Sequence, residues 1–137
     1  MGVSPESEAG GSSGEMNSND TAEDRSVCDQ VFSVTLPANT PIADTIYMAG
    51  TFFAREDAGQ NWQPNERALS RIGNVATLTL SVRSGQWLSY KYTRGSWPQV
   101  EVLANCSERH NRNLSVRCPT SVRMDTVQSW GDVLPCQ

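Results

Sequence analysis

The sequence predicts an all-β protein, an antiparallel immunoglobulin-like β-sandwich of about seven strands behind a disordered N-terminal tail. Three observations lead there. From Asp29 onward apolar residues recur with period two and rarely with helical period. Turn residues interrupt these runs about every eight to twelve positions, the spacing of a sandwich. Before residue 27 the composition is of another kind: Ser, Gly, Glu, Asp and Asn dominate and large apolar residues are almost absent. Such a stretch cannot bury enough surface to offset its ordering entropy. The chain therefore divides into an acidic tail or linker, residues 1–26, and a folded domain, residues 27–137.

The elements follow in order. Gln30 to Leu36 alternates Phe32, Val34 and Leu36 against Val31, Ser33 and Thr35, and stops at the turn cluster Pro37-Ala38-Asn39-Thr40-Pro41. Thr45 to Ala49 is a short apolar strand ended by Gly50, and Arg55 to Glu66, with Gly59 and Pro64, reads as a long loop. Val75 to Val82 alternates most cleanly, with Ala76, Leu78, Leu80 and Val82 inward. Ser84-Gly85 turns the chain into the strand Trp87 to Thr93. Val100 to Leu103, Asn113 to Arg117 and Val122 to Val127 are further strands, the last two joined as a hairpin through Cys118-Pro119-Thr120.

Charge narrows the function classes. The tail holds six of the fifteen acids and only one base, Arg25, so the domain itself has ten bases against nine acids. A near-neutral domain lacks the clustered positive charge that nucleic acid or an anionic membrane needs. No apolar run approaches the length of a membrane span. A neutral ligand fits better. The four cysteines, Cys28, Cys106, Cys118 and Cys136, lack the close pairs of a structural zinc site. Their even number and wide spacing read as two disulfides, and hence as a secreted or periplasmic protein. Four cysteines allow three pairings. A terminal hairpin with the first strand parallel to the last favours Cys28 with Cys118 and Cys106 with Cys136.

The strand Trp87 to Thr93 carries the most chemistry. Leu88, Tyr90 and Tyr92 share a core face, while Trp87, Ser89, Lys91 and Thr93 share the opposite one. Lys91 is the only lysine in the sequence. Its compact ammonium with rotatable donors suits sugar hydroxyls. A sugar ring has an apolar C–H face and a polar rim, so its site needs flat aromatics beside amide or ammonium donors. Trp62 and Trp97 lie among loop residues and meet that need. Trp87 reads as site or edge packing, and Trp130 as structural. Tyr47, Tyr90 and Tyr92 are expected to pack inward with their hydroxyls satisfied at the rim. Arg94 and Glu101 flank the Gly95-Ser96 turn and are expected to pair across it. His110 is the only histidine, too little for a metal site or a triad.

At this point the residues resemble a family. The order Ile46-Tyr47-Met48-Ala49-Gly50, Asn61-Trp62, Pro64, Leu69, Tyr90-Lys91-Tyr92 and Asn111-Arg112 is similar to the starch-binding domains of carbohydrate-binding module family 20 and to the related glycogen-binding modules of family 48. The run Thr93 to Trp97, followed by Val100-Glu101 and Asn111-Arg112, looks like a bacterial branch found beside extracellular hydrolases. The resemblance implies a non-catalytic module without cofactor or metal that binds an α-glucan through Trp62, Lys91, Trp97 and Asn111. It implies a catalytic domain elsewhere in the full-length protein, and a monomer. Trp97 matches the second tryptophan of the glycogen-binding version. Starch-binding modules place theirs just before Asn-Arg, where this chain has Glu108-Arg109-His110. The loop from Phe52 to Gln60 is longer than the family's.

Two other classes stand beside this one. A protein-interaction or structural sandwich would bury Trp62 and Trp97 at a domain interface. A small hydrolase would use Glu101 with an aspartate, though nothing in the spacing marks the paired carboxylates of a glycosidase.

Overall fold

A computed structural model describes residues 26–52 and 59–137. The expected tail lies outside the described residues save for Ser26, and so do residues 53–58 of the long loop. The described chain forms strands β1 (Val27–Thr35), β2 (Tyr47–Gly50), β3 (Arg67–Ala68), β4 (Ser70–Ile72), β5 (Val75–Arg83), β6 (Trp87–Thr93), β7 (Glu101–Val102), β8 (Arg112–Ser115), β9 (Arg123–Thr126) and β10 (Ser129–Trp130). A 3-10 turn, Trp97–Gln99, lies between β6 and β7.

The chain divides into two compact units. Among described residues the smaller one comprises 26–29, 81–86 and 115–120. It is closed by the Cys28–Cys118 disulfide and by main-chain hydrogen bonds from Ser84 N to Ser26 O (2.7 Å) and from Gly85 N to Val116 O (2.8 Å). The Ser84 hydroxyl accepts the Cys118 N–H at 3.2 Å.

The larger unit is a β-sandwich. One sheet has the order β8-β6-β2-β3 and the other β9-β1-β5-β4, with a two-stranded ribbon of β10 and β7. Alternation decides which side chains meet between the sheets. Phe32 and Val34 of β1, Met48 of β2, Ala76 and Leu80 of β5, and Leu88, Tyr90 and Tyr92 of β6 are buried. Phe32 and Tyr90 meet edge to face with ring centroids 5.3 Å apart, and Tyr90 meets Tyr92 at 5.7 Å. β1 and β9 run parallel, with Phe32 opposite Arg123 and Val34 opposite Asp125. The second disulfide joins Cys106 to Cys136.

Four expectations are corrected. β8 and β9 are not a hairpin: β8 pairs with β6 in one sheet and β9 with β1 in the other. Arg94 and Glu101 do not pair with each other. Arg94 bonds Asp44 and Asp132 and lies 5.4 Å from the Trp130 ring centroid, whereas Glu101 is bonded to Arg112. Tyr47 does not pack inward. It stands opposite Thr93 in the β2/β6 ladder, on the face of Lys91. The hydroxyls of Tyr90 and Tyr92 both donate to Asp125, at 2.7 and 2.8 Å, in the interior rather than at the rim.

These polar groups form a buried network beneath β6. Glu101, with no exposed surface, accepts Arg112 Nη2 on Oε1 at 2.8 Å, and Arg112 Nε and the Tyr92 N–H on Oε2 at 3.0 and 2.9 Å. Arg112 Nη1 lies 3.4 Å from Asp125 Oδ1, and its guanidinium lies 5.4 Å from the Tyr92 ring centroid. Burial works against the Arg112 charge, but the hydrogen bonds and charge of Glu101, then the charge of Asp125, outweigh it and raise its pKa. Burial raises the Tyr90 and Tyr92 pKa values well above the ordinary phenol, and the neighbouring Asp125 carboxylate adds to the rise. Glu101, Arg112, Asp125, Tyr90 and Tyr92 all have partners, which is the condition for tolerating charge in a core; Arg109, its Nε 3.6 Å from Glu101 Oε1, adds a further cation whose buried Nε makes no hydrogen bond.

Candidate functional site

The network holds the inner face of β6; the outer face carries the candidate site. Lys91 stands opposite Ala49 of β2, and its side chain is 12% exposed. Its ammonium is 3.6 Å from Glu108 Oε2. The register on either side of Lys91 positions a loop. Gly50, next to Ala49 and opposite Tyr90, accepts the Trp62 N–H at 2.9 Å. Thr93, two residues beyond Lys91, donates its hydroxyl to the Pro64 carbonyl and accepts the Gly95 N–H at 3.1 Å. The loop bearing Trp62 is thus pinned at two points that bracket Lys91. It also explains why Thr93, on the outer face, has no exposed surface. Gly50 must be glycine, because a Cβ there would overlap the Ser89 carbonyl oxygen and the Phe52 ring.

Trp62 has φ of 62°, the left-handed region that bulky residues avoid. A residue held there costs about 1–3 kcal/mol, and such positions cluster at binding sites. The indole is half-buried.

Trp97 comes from a turn built for rigidity. Gly95 has φ of 113°, which only glycine adopts readily, and a Cβ there would lie 3.5 Å from the Tyr47 ring. The Arg94 N–H donates to Gln99 O at 3.0 Å, Gln99 N–H to Ser96 O at 3.0 Å, and Val100 N–H to Trp97 O at 3.1 Å. Beneath the turn, Arg94 is clamped between the Asp44 and Asp132 carboxylates. Trp97 remains 42% exposed on this frame. Trp130, 1% exposed, instead donates its Nε1–H to Thr40 Oγ1 at 2.8 Å and is structural.

Asn111 is exposed immediately before β8. The Ser89 hydroxyl donates to Asn113 Oδ1 at 2.7 Å while Glu108 reaches Lys91, so the chain from 108 to 113 runs opposite to β6. Asn111 therefore falls on the Lys91 side of Ser89. All four sequence-derived residues, Trp62, Lys91, Trp97 and Asn111, sit on elements bordering one sheet face. Sequence reasoning missed three contributors to it: Tyr47, Glu108 and Asn113. Tyr47 sits in a run that is apolar at every position, so alternation could not orient it. The Glu108–Lys91 and Ser89–Asn113 contacts depend on strand pairing that local pattern does not encode.

Glu101, the carboxylate on which a small hydrolase would depend, has both oxygens taken by Arg112 and by the Tyr92 N–H and no exposed surface. It cannot meet a substrate. No group of three or more His, Cys, Asp or Glu side chains able to hold a metal ion occurs among the described residues.

The chain is 40% identical over 106 residues to an amylopullulanase of Thermoanaerobacter thermohydrosulfuricus, covering 74% of the chain and 7% of that protein. It is 33% identical over 108 residues to an amylopullulanase of Thermoanaerobacterium thermosulfurigenes and 31% identical over 104 residues to an α-amylase of Niallia circulans. These matches cover 75% and 74% of the chain but only 5% and 8% of the respective proteins. Among solved structures, a family 15 glucoamylase from Hypocrea jecorina aligns with TM-score 0.56 and 23% identity over 75% of this chain and 17% of its own. The family 20 carbohydrate-binding module of a maltotetraose-forming amylase from Pseudomonas saccharophila aligns with TM-score 0.51 and 15% identity, over 72% of this chain and 99% of its own. No protein-family model matches the chain.

The chain has a β-sandwich fold, which it shares with the solved family 20 module. It spans less than a tenth of each of the three enzymes it matches in sequence.

Proposed function

We propose that this domain is a non-catalytic module that binds α-glucan chains, of the starch or glycogen kind, and holds a linked catalytic domain near them. The observation that carries the reading is the agreement of two independent likenesses. The sequence matches short stretches of three amylolytic enzymes, and a structure of this fold aligns over nearly the whole of a family 20 module. The catalytic partner is the remainder of a longer polypeptide, as in the relatives, of which this chain spans less than a tenth. Two disulfides support an extracellular setting.

In this reading Trp62 and Trp97 stack on the C–H faces of glucose units, while Lys91 and Asn111 bond their hydroxyls. Stacking needs aromatic surface that is both accessible and held in place. The exposed Trp97 on its hydrogen-bonded turn and the pinned, left-handed Trp62 supply it. Lys91, its side chain 12% exposed, offers charge-assisted donors at the centre. A shallow site of this type gains little beyond the entropy of immobilising sugar and side chains, so dissociation constants are expected on the order of micromolar to millimolar. Calorimetric titration with maltoheptaose and β-cyclodextrin, repeated on Trp62→Ala, tests the reading: saturable binding lost in the variant supports it, and absence of binding at millimolar sugar removes it.

A further inference from the structure

The outer face of β6 does not end at Lys91. Trp87, the first residue of the strand, lies on the same face four positions earlier and is 60% exposed, more than Trp97 at 42%. Four residues of extended strand separate the two by about 13 Å, the reach of several sugar rings in a row. Between them stands only Ser89, its hydroxyl bonded to Asn113 and its backbone N–H to Thr51 Oγ1 at 3.0 Å. Among the described residues, the face of β6 from Lys91 to Trp87 thus carries hydroxyl and amide groups. Among the described residues no aromatic ring, cation or hydrogen-bond acceptor engages the Trp87 indole. An indole left so open at a strand start forgoes a burial worth about 25 cal/mol per Å² of apolar surface. Alternation places it where a chain bound at Lys91 would run.

We infer that Trp87 is an outlying stacking platform that extends the glucan site along β6 and sets a preference for longer chains. The inference rests on the glucan-binding reading above and adds a residue and a length specificity to it. The aromatic face meets a neutral, hydroxyl-rich ligand, which is the chemistry of the strand face leading to it. A short oligosaccharide centred on the lysine extends too little to either side to cover an indole at that distance.

The test compares maltotriose with maltoheptaose on the 137-residue chain, its Trp87→Ala variant and its Trp97→Ala variant, by calorimetry, with indole N–H signals recorded on the unmodified chain. Expected are a three- to tenfold weaker maltoheptaose affinity in Trp87→Ala, maltotriose affinity unchanged within twofold, and a Trp87 indole shift produced by maltoheptaose alone. Equal affinities of the Trp87→Ala variant and the unmodified chain for both sugars would overturn the inference while leaving the glucan site standing. So would an equal loss for both, or a variant whose only change is loss of self-association. Failure of the unmodified chain to bind either sugar would instead overturn the glucan reading itself, and this inference with it. The indole signal keeps the test decisive if the variant folds poorly.

Discussion

Lys91 Nζ and Glu108 Oε2 lie 3.6 Å apart across the outer face of the sheet, the lysine side chain 12% exposed and the glutamate side chain 76% exposed. The pair is beyond hydrogen-bonding distance and one partner is largely solvated, so its own contribution to stability is at most about 1 kcal/mol. Its consequence is positional: it keeps an ammonium over the strand with donors to spare.

Lys91→Ala is therefore expected to weaken glucan binding by about 10- to 100-fold, the worth of charge-assisted hydrogen bonds of about 1.5–3 kcal/mol, while changing stability by less than about 1 kcal/mol. Titration and urea denaturation of the same variant check both halves. An affinity within twofold of the unmodified chain would remove Lys91 from the site.

Trp62 sets function against stability. Replacement by glycine relieves the positive φ, which is worth about 1–2 kcal/mol for an L-residue, and forfeits the packing of a half-buried ring. The two nearly cancel, so Trp62→Gly is expected to keep its urea midpoint close to that of the unmodified chain while losing glucan binding. A large drop in the midpoint would mean that the indole is core rather than platform.

Glu101 behaves in the opposite way. Its replacement by glutamine leaves Arg112 buried without its principal counter-charge and weakens the acceptor for the Tyr92 N–H. Breaking a buried pair in this manner costs about 3–5 kcal/mol. Denaturant unfolding of Glu101→Gln should show a loss of that order; a loss under about 1 kcal/mol would contradict the network described.

The core tyrosines make the fold sensitive to alkali. Burial, reinforced by Asp125, raises the Tyr90 and Tyr92 pKa values above those of an unfolded chain. The unfolded chain gives up these protons near pH 10, while the folded chain retains them, so the native state binds more protons there. Their stabilising contribution is complete below about pH 10 and falls as pH rises from there toward the folded values. Absorbance at the phenolate band should thus rise for these two residues only together with loss of the β circular-dichroism signal. Reversible ionisation of both in the folded protein near pH 10 would contradict their placement.

What the sequence made legible follows from what local pattern can encode. Strict alternation in Val75–Val82 and Trp87–Thr93 identified the strands and their inner faces, because one buried sheet face imposes period two. Trp130 was readable as structural from its place after the last long strand. Strands β3 and β4, of two and three residues, are too short to show a period at all. The partners of Arg94 and Arg112 were not legible, since Asp132 and Asp125 reach them through tertiary packing across 38 and 13 positions of sequence. The false hairpin of β8 and β9 had the same origin: Cys118-Pro119-Thr120 reads as a turn whether the chain folds back or crosses to the other sheet. Within the candidate site, the family-like motifs marked Trp62, Lys91, Trp97 and Asn111, whereas Trp87 could be weighed only once its exposure was known.

The most direct measurement is a titration of the chain with maltoheptaose, following amide and tryptophan indole signals residue by residue. An α-glucan site on this face predicts saturable shifts centred on Trp62, Lys91, Trp97 and Asn111, with the buried Trp130 indole unmoved. Unchanged spectra at millimolar sugar, or shifts confined to the opposite sheet of β9, β1, β5 and β4, would contradict it.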